Sequence, residues 1–270
     1  MGQAIPYEIG TLVIAFSIVR NQLTALSLNY FHQIHEARCL IRAWLPSNYP
    51  AVEVPMFPIG DDDSGRRSVP VVTYVLIAIN VLFFFVELSG GDPFIERWSV
   101  VPRRLIANPG ADFITVFTSM FMHGGWLHLG GNMLYLWIFG DNVEDRFGHV
   151  KFALFYLLCG IGATVAQVLV SAGSNIPNLG ASGAIAGVLA AYLILFPKGQ
   201  VKVLMGRGVV PMPALVVIGL WIVLQFVNGI GSITQSTETG GVAYMAHIGG
   251  FVAGLVLTFL FGGRRTEVTA

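Results

Sequence analysis

A serine in a glycine-rich setting is the first feature of this sequence that could do chemistry. Ser182 lies in the motif Gly180-Ala-Ser-Gly183, directly after a Pro/Asn-containing loop and at the predicted start of a helix. A helix N-terminus leaves backbone N–H groups free to bind a developing oxyanion. The small neighbours would let a substrate carbonyl approach the hydroxyl. Alone, the motif suits a nucleophile or a simple helix N-cap.

His247 is the candidate base for such a serine. Each of the two residues is followed by a pair of glycines four apart, which are Gly183 and Gly187 after Ser182, and Gly250 and Gly254 after His247. Glycines at this spacing let two helices approach closely, which could bring the imidazole Nε2 to the serine hydroxyl. Imidazole would then act as general base and later as acid toward the leaving amine. The alternative is a histidine that only stabilises packing.

His128 and Asn132 are four residues apart and therefore share one face of a predicted helix. Their N–H groups could donate to a tetrahedral intermediate together with the backbone N–H of Ser182. The alternative is a polar seam between helices. His123 is interpreted as structural, fixing the start of this helix by hydrogen bonds. A metal site formed by His123, His128 and His247 is a further alternative, although no acid or thiol supports it.

Composition indicates the environment in which these residues work. The chain has 270 residues, of which 54% are hydrophobic and only 11% are charged, whereas soluble proteins are about 25% charged. Fifteen basic residues balance fifteen acidic ones, which argues against nucleic acid as a partner. Two cysteines without zinc-ligand spacing predict neither a disulfide framework nor a zinc site. We therefore expect a membrane protein without cofactor or metal.

Charged residues are absent from five long stretches, which are 69–86, 113–140, 152–197, 208–237 and 239–263. Because a membrane span needs roughly 20 apolar residues, and the turn at 171–177 divides the third stretch, we expect six helices. Their predicted positions are 69–88, 125–142, 152–171, 181–197, 209–228 and 242–262. The predicted fold class is an all-α membrane protein, with a long outer first loop over residues 87–124 and a flexible loop over 229–242.

Basic residues predict the orientation of this six-helix unit, since Lys and Arg concentrate on the cytoplasmic side. One side would carry nine of them, which are Arg66, Arg67, Arg146, Lys151, Lys198, Lys202, Arg207, Arg264 and Arg265. The other side would carry three, which are Arg97, Arg103 and Arg104. Both ends of the unit are therefore predicted to be cytoplasmic.

Three segments follow from these patterns. Residues 56–263 form the membrane domain and residues 264–270 a short cytoplasmic tail. Residues 1–55 form an N-terminal extension whose apolar run is too short to span a bilayer. This extension is interpreted as an interfacial helix, an unfolded extension or non-native upstream sequence joined to a start at Met56.

Polar residues within the predicted spans tend to be functional, and they are Asn80, His128, Asn132, Gln167, Ser182, Gln225 and His247. Every carboxylate falls outside the five charge-free stretches, which excludes an aspartyl intramembrane protease. No HExxH motif is present, which excludes a zinc protease of that type. A site in these helices must therefore use Ser, His and Asn.

These motifs, in this order, resemble the rhomboid family of intramembrane serine proteases. The resemblance rests on His123-Gly-Gly-Trp-Leu-His128-Leu-Gly-Gly-Asn132, Gly180-Ala-Ser182-Gly183 and Ala246-His247-Ile-Gly-Gly250, and it covers about 56–263. Glu144-Asp-Arg-Phe-Gly148 also resembles a family motif whose role would be structural.

Membership implies a Ser182–His247 dyad, an oxyanion site from His128, Asn132 and the Ser182 N–H, and support from His123, Gly180, Gly183 and Gly250. It implies single-span or multi-span membrane proteins as substrates, cut near the outer end of a helix after a small residue. It also implies a bacterial inner membrane location with the site opening outward. Some members carry a tyrosine four residues after the serine, stacked on the histidine, where this chain has Ala186.

Two other classes of function remain open at this point. One is a non-catalytic adaptor that binds transmembrane clients. The intact Ser/His pair argues against this function. The other is a small-solute transporter, which would have paired repeats, and the sequence contains no internal repeat. The oligomeric state is not predicted.

Overall fold

The computed structural model of the chain describes residues 56–235 and 243–262. The expectations for residues 1–55 and for the tail at 264–270 lie outside these ranges. These described residues belong to one compact unit.

Long helices dominate the described residues. In chain order they are α1 (Val71–Trp98), α5 (Trp126–Phe147), α6 (His149–Val170), α7 (Ser182–Leu195), α8 (Ala214–Gln235) and α9 (Tyr244–Phe261). Three of them, α1, α6 and α9, are long and apolar enough to cross a membrane, while α7 and the first part of α8 are apolar but shorter. The protein is thus a mostly helical integral membrane protein.

Helix α7 is the centre of the bundle. Every residue from Gly183 to Tyr192 is buried, because α5, α6, α8 and α9 all contact this helix. The outer helices instead leave large apolar side chains exposed, among them Leu82 of α1 and Phe259 of α9. A helix that is apolar all round is a core helix, and this one begins at the candidate nucleophile.

A three-stranded antiparallel sheet corrects the all-α expectation. Strand β1 (Met56–Asp61) pairs with β2 (Gln200–Met205), which pairs with β3 (Gly208–Pro213). The span predicted to begin at 209 instead begins at Ala214. Residues 208–213 carry no charge, yet Pro211 and Pro213 lack the N–H that a helix interior requires. Gly206, with φ of +62°, forms the turn between β2 and β3.

The outer first loop predicted over 87–124 is largely helical in the structure. Helix α1 continues ten residues beyond its predicted end to Trp98, with non-helical backbone at Gly91 (φ +59°). Short helices then follow as α2 (Pro102–Ala107), α3 (Pro109–Asp112), α4 (Thr115–Thr118) and a 3-10 turn (Ser119–Phe121).

Helix α8 likewise extends further than expected. It runs to Gln235, so the first half of the loop predicted over 229–242 is helical. Residues 236–242 lie outside the described ranges.

Candidate active site

Ser182 and His247 meet at the junction of α7 and α9. The Nε2 atom of His247 lies 2.8 Å from the Oγ atom of Ser182. Ser182 is the first residue of α7, and His247 lies in the first turn of α9 and is buried. At this distance the two atoms form a hydrogen bond. A nucleophile and its general base require such a contact.

Glycines set this distance through direct contact of the two helix backbones. A Cβ atom added to Gly250 would lie 1.9 Å from the carbonyl oxygen of Gly183, and one added to Gly254 would lie 2.4 Å from that of Gly187. No larger residue would leave room for this approach. The two glycine pairs read from the sequence therefore pack against each other.

A glutamine and a tryptophan hold the other side of the His247 ring. Gln225 of α8 places its Oε1 atom 2.8 Å from His247 Nδ1. One turn earlier, the Trp221 ring lies against the imidazole, with ring centroids 5.5 Å apart and planes at 38°. The sequence identified Gln225 as an intramembrane polar residue but gave no partner for it, and it gave no signal for Trp221.

Gln167 of α6 contacts the backbone next to this ring. Its Oε1 atom accepts a hydrogen bond of 3.1 Å from the N–H of Ala246. The start of α9, and with it His247, is thereby tied to α6.

The His128 ring and the Ser182 hydroxyl both lie close to Gly180. Its Nδ1 atom lies 3.3 Å from the backbone N of Gly124, which can only donate. The neutral ring must therefore carry its proton on Nε2. A Cβ atom added to Gly180, which has φ of +134°, would lie 3.0 Å from that Nε2 and 3.5 Å from Ser182 Oγ. Glycine at 180 thus lets an N–H donor approach the nucleophile.

Asn132 lies one turn beyond His128 on α5 and is buried. Its side-chain NH₂ has no hydrogen-bond partner among the described residues. Buried polar groups are normally paired, so this donor is available to an incoming acceptor.

His123 is buried just before α5, and its ring packs edge-on against that of His128 with centroids 5.2 Å apart. Its backbone N–H donates to Glu87 Oε2 over 2.9 Å. Glu87 is a buried carboxylate on α1. The sequence alone did not single it out, because it predicted that this helix ends at residue 88, one residue after Glu87. The contact links α1 to the segment that leads into α5.

A small cavity lies beside Ser182. Gly160, Ala163, Gly183 and Ala246 form its small-residue walls, and Ser119, Thr164 and Gln167 add polar groups.

In the described part of the chain, His123, His128 and His247 do not form a metal cluster. Among described residues, the group whose ligand atoms all lie within 4.8 Å of one another is Asp61, Asp63 and Asp141. The metal alternative for His123, His128 and His247 is thus not favoured.

Comparison with known proteins identifies the family. The sequence model of the Rhomboid domain matches residues 110–264, more than half of the chain. Rhomboid protease GluP of Bacillus subtilis is 32% identical over 71% of this chain and 36% of its own length. Putative rhomboid protease YdcA of the same species is 27% identical over 72% of this chain and 89% of its own length.

Rhomboid protein 1, mitochondrial, of Saccharomyces cerevisiae is 27% identical over 68% of this chain and 51% of its own length. The chain thus spans about a third to a half of the length of several relatives, including GluP. The region that the Rhomboid domain model matches contains α5 to α9, and with them Ser182, His247, His128 and Asn132. The chain belongs to the rhomboid family.

Proposed function

We propose that this protein is an intramembrane serine endopeptidase that hydrolyses peptide bonds in or near transmembrane helices of other membrane proteins. The observation that carries the proposal is the 2.8 Å contact between Ser182 Oγ and His247 Nε2. Similarity to proteins named as rhomboid proteases supports the same reaction class.

In the proposed reaction, His247 Nε2 takes the proton of the Ser182 hydroxyl as Oγ attacks the substrate carbonyl carbon. A C–O bond forms, and the carbonyl π electrons move to the oxygen. Collapse of this tetrahedral species breaks the C–N bond, and imidazolium donates its proton to the departing amine. Water then attacks the acyl-enzyme with His247 again as base, which releases the carboxylic acid and restores the serine.

Three donors would stabilise the oxyanion in this mechanism. They are the backbone N–H of Ser182 at the start of α7, the Nε2–H of His128 and the unpaired NH₂ of Asn132. All three groups are neutral, and such preorganised donors are effective where water is excluded. Neither a metal nor another cofactor enters the reaction.

The proposed topology has six spans, with α1, α5, α6, α7, α8 and α9 crossing the bilayer and both ends of the unit in the cytoplasm. Helix α7 has 14 residues and is therefore about 21 Å long, shorter than a hydrocarbon core of about 30 Å. A serine at its outer end would lie below the membrane surface, in a cavity open to water on the outer side of a bacterial inner membrane.

Substrates of this enzyme would be single-span or multi-span membrane proteins. A helical amide is shielded, so a substrate helix must unwind before its carbonyl reaches Ser182. We therefore expect Gly, Pro or polar residues near the cut and a small side chain in the adjoining cavity. Equal cleavage rates for a matched substrate pair that differs only in these helix-breaking residues would contradict this expectation.

The decisive test compares the parent protein with Ser182→Ala and His247→Ala. Each is co-expressed with tagged single-span proteins, and the purified forms are treated with a fluorophosphonate probe. Both variants should lose cleavage and labelling while eluting as folded protein in detergent. Full cleavage by Ser182→Ala would reject the mechanism. A parent that neither cleaves nor reacts with the probe, yet retains tagged clients, would be an adaptor.

A further inference from the structure

Gln225 has a hydrogen-bonding arrangement that determines which atom of its amide faces His247. Gln225 is buried, with 9% of its surface exposed. Its Nε2 atom donates to the backbone carbonyl of Trp221 over 3.3 Å, one turn earlier in α8. Its Oε1 atom lies 2.8 Å from His247 Nδ1. The two ends of the amide thus have separate partners.

The orientation of this amide follows from chemistry. A backbone carbonyl can only accept a hydrogen bond, so the atom of Gln225 that faces Trp221 must be the NH₂ group. The oxygen must then face His247. Because an amide oxygen can only accept, the Nδ1 atom of His247 must carry a proton. In the neutral ring Nε2 is then left with its lone pair directed at Ser182.

We propose that Gln225 is a positioning residue that holds His247 in the tautomer able to accept the Ser182 proton. This inference rests on the proposed function, because it concerns the base of the same reaction. The site then contains a relay of Ser182, His247 and Gln225, in which an amide occupies the position that a carboxylate holds in soluble serine proteases. Gln225 acts through His247 and does not contact the reacting atoms.

An amide suits this position for an electrostatic reason. A carboxylate buried in the bundle would carry a large desolvation cost, whereas an amide with both ends hydrogen-bonded does not. Among the described residues no carboxylate forms an ion pair or hydrogen bond with the His247 ring. The dipole of Gln225 therefore orients the imidazole without adding a buried charge.

Trp221 completes the support by fixing the plane of the ring. The indole packs on the imidazole, while its backbone carbonyl fixes the Gln225 amide. One turn of α8 therefore supplies both an acceptor for Nδ1 and a surface for the ring face. Ala186, four residues after Ser182, offers only a methyl group, so the ring contact comes from α8 instead of α7.

The test separates hydrogen bonding from packing with two variants of similar size. Gln225→Met fills nearly the same volume but removes the strong acceptor, and Gln225→Glu keeps an acceptor oxygen whether ionised or protonated. We expect Gln225→Met to lower kcat by about 10- to 100-fold with KM unchanged, and to slow fluorophosphonate labelling in parallel. Gln225→Glu should retain clearly more activity than Gln225→Met.

If Gln225 only filled space, the activities of the two variants would have the opposite order, because an apolar site tolerates methionine but not a buried carboxylate. Activity of Gln225→Met equal to the parent, or above that of Gln225→Glu, would overturn the inference. Gln200→Met, at an exposed position on β2, is the matched control and should be unchanged. Ser182→Ala is assayed in the same experiment. Full activity of Ser182→Ala would reject the proposed protease mechanism. If Ser182→Ala is inactive and Gln225→Met has normal activity, only the role of Gln225 is rejected.

A second measurement needs no variant at 225. ¹⁵N NMR of histidine-labelled protein in detergent reports which ring nitrogen of His247 is protonated, with His247→Ala used to assign its signals. The expected state is a neutral ring with the proton on Nδ1. A neutral ring with the proton on Nε2 would overturn the inference even if every Gln225 variant failed to fold.

Discussion

The backbone of Gly250 lies against the carbonyl oxygen of Gly183, so close that an added Cβ atom would lie 1.9 Å from that oxygen. The distance between nucleophile and base is therefore controlled by main-chain contact. Side chains that could adjust by changing rotamer are absent from this contact.

Replacing Gly250 with alanine should separate α7 from α9. The new methyl group meets backbone, which cannot move away, so we expect a loss of about 3 kcal/mol or more in the free energy of unfolding. The cleavage rate should fall at least in proportion to the loss of folded protein. Both are measured in detergent, the second by thermal unfolding. The control is Gly219→Ala on α8, where a Cβ meets nothing within 4 Å. A stable, fully active Gly250→Ala would contradict the proposed role of this contact.

Asn132→Ala tests the oxyanion site. Removing one preorganised donor from a site of this kind costs about 10²- to 10³-fold in kcat. Because this NH₂ has no partner among the described residues, its loss should leave folding and KM nearly unchanged. Steady-state cleavage of a single-span substrate, with the unfolding temperature measured in parallel, checks both points. An unchanged kcat would remove Asn132 from the mechanism.

Stability should depend on pH through Asp61 on β1. Burial, together with the nearby carboxylates of Asp141 and Asp63, raises the pKa of Asp61 from its ordinary 3.8 to about 7, although hydrogen bonds from Tyr192 and Asn142 lower it. Between about pH 4 and 7 the folded protein holds a proton that the unfolded chain releases. The free energy of unfolding should therefore fall as pH rises through this window and level off above it.

Asp61→Asn should reduce this dependence, because an amide does not titrate. Its amide oxygen can still accept the hydrogen bond that Tyr192 donates to Asp61 over 2.7 Å. We expect the variant to be more stable than the parent at about pH 8, by on the order of 2 kcal/mol. Thermal unfolding at about pH 5 and pH 8 provides the measurement, with the exposed Asp92→Asn as control. A parent whose stability rises over this range would show that Asp61 is not the controlling group.

Glu144 should be essential to the position of α1. This fully buried carboxylate accepts from the backbone N of Val72 at 2.8 Å, and from the backbone N and the hydroxyl of Thr73, each at 2.7 Å. It therefore caps the first turn of α1 from α5. Glu144→Ala leaves these donors without an acceptor and should lower the free energy of unfolding by about 3–5 kcal/mol. Glu144→Gln should have an intermediate effect. Thermal unfolding is the readout, and the exposed Glu96→Ala is the control. Equal stability of Glu144→Ala and the parent would exclude this capping role.

Local motifs identified Ser182 and His247 as candidates, and the resemblance of the motifs, in their order, to the rhomboid family paired the two residues. Ser182 and His247 were recognisable because each precedes a glycine pair, and a pair at that spacing predicts a close helix contact wherever it occurs. The approximate positions of the long helices followed from the absence of charge. These signals are contained in single segments of sequence.

The parts that were missed depend on contacts between segments. Gln225 is one polar residue in an apolar helix, and nothing near it in the sequence indicates that its partner is His247. The hairpin of β2 and β3 was partly hidden because an uncharged strand resembles the beginning of a span. The predicted end of α1 came too early, because a charged residue such as Glu87 usually indicates the end of a membrane span. In the structure Glu87 is instead buried and accepts a hydrogen bond from the backbone of His123.

The contact between α7 and α9 also indicates which positions near Ser182 tolerate change. Since main-chain atoms fix the spacing of Ser182 and His247, a residue that lines the neighbouring cavity from α6 without binding α9, such as Thr164, can be exchanged without changing that spacing. Gly160 is an exception, because an added Cβ would lie 2.5 Å from the Sδ atom of the buried Met120. In the proposed protease, Thr164 is thus the position at which selectivity for the cleaved residue could evolve or be engineered.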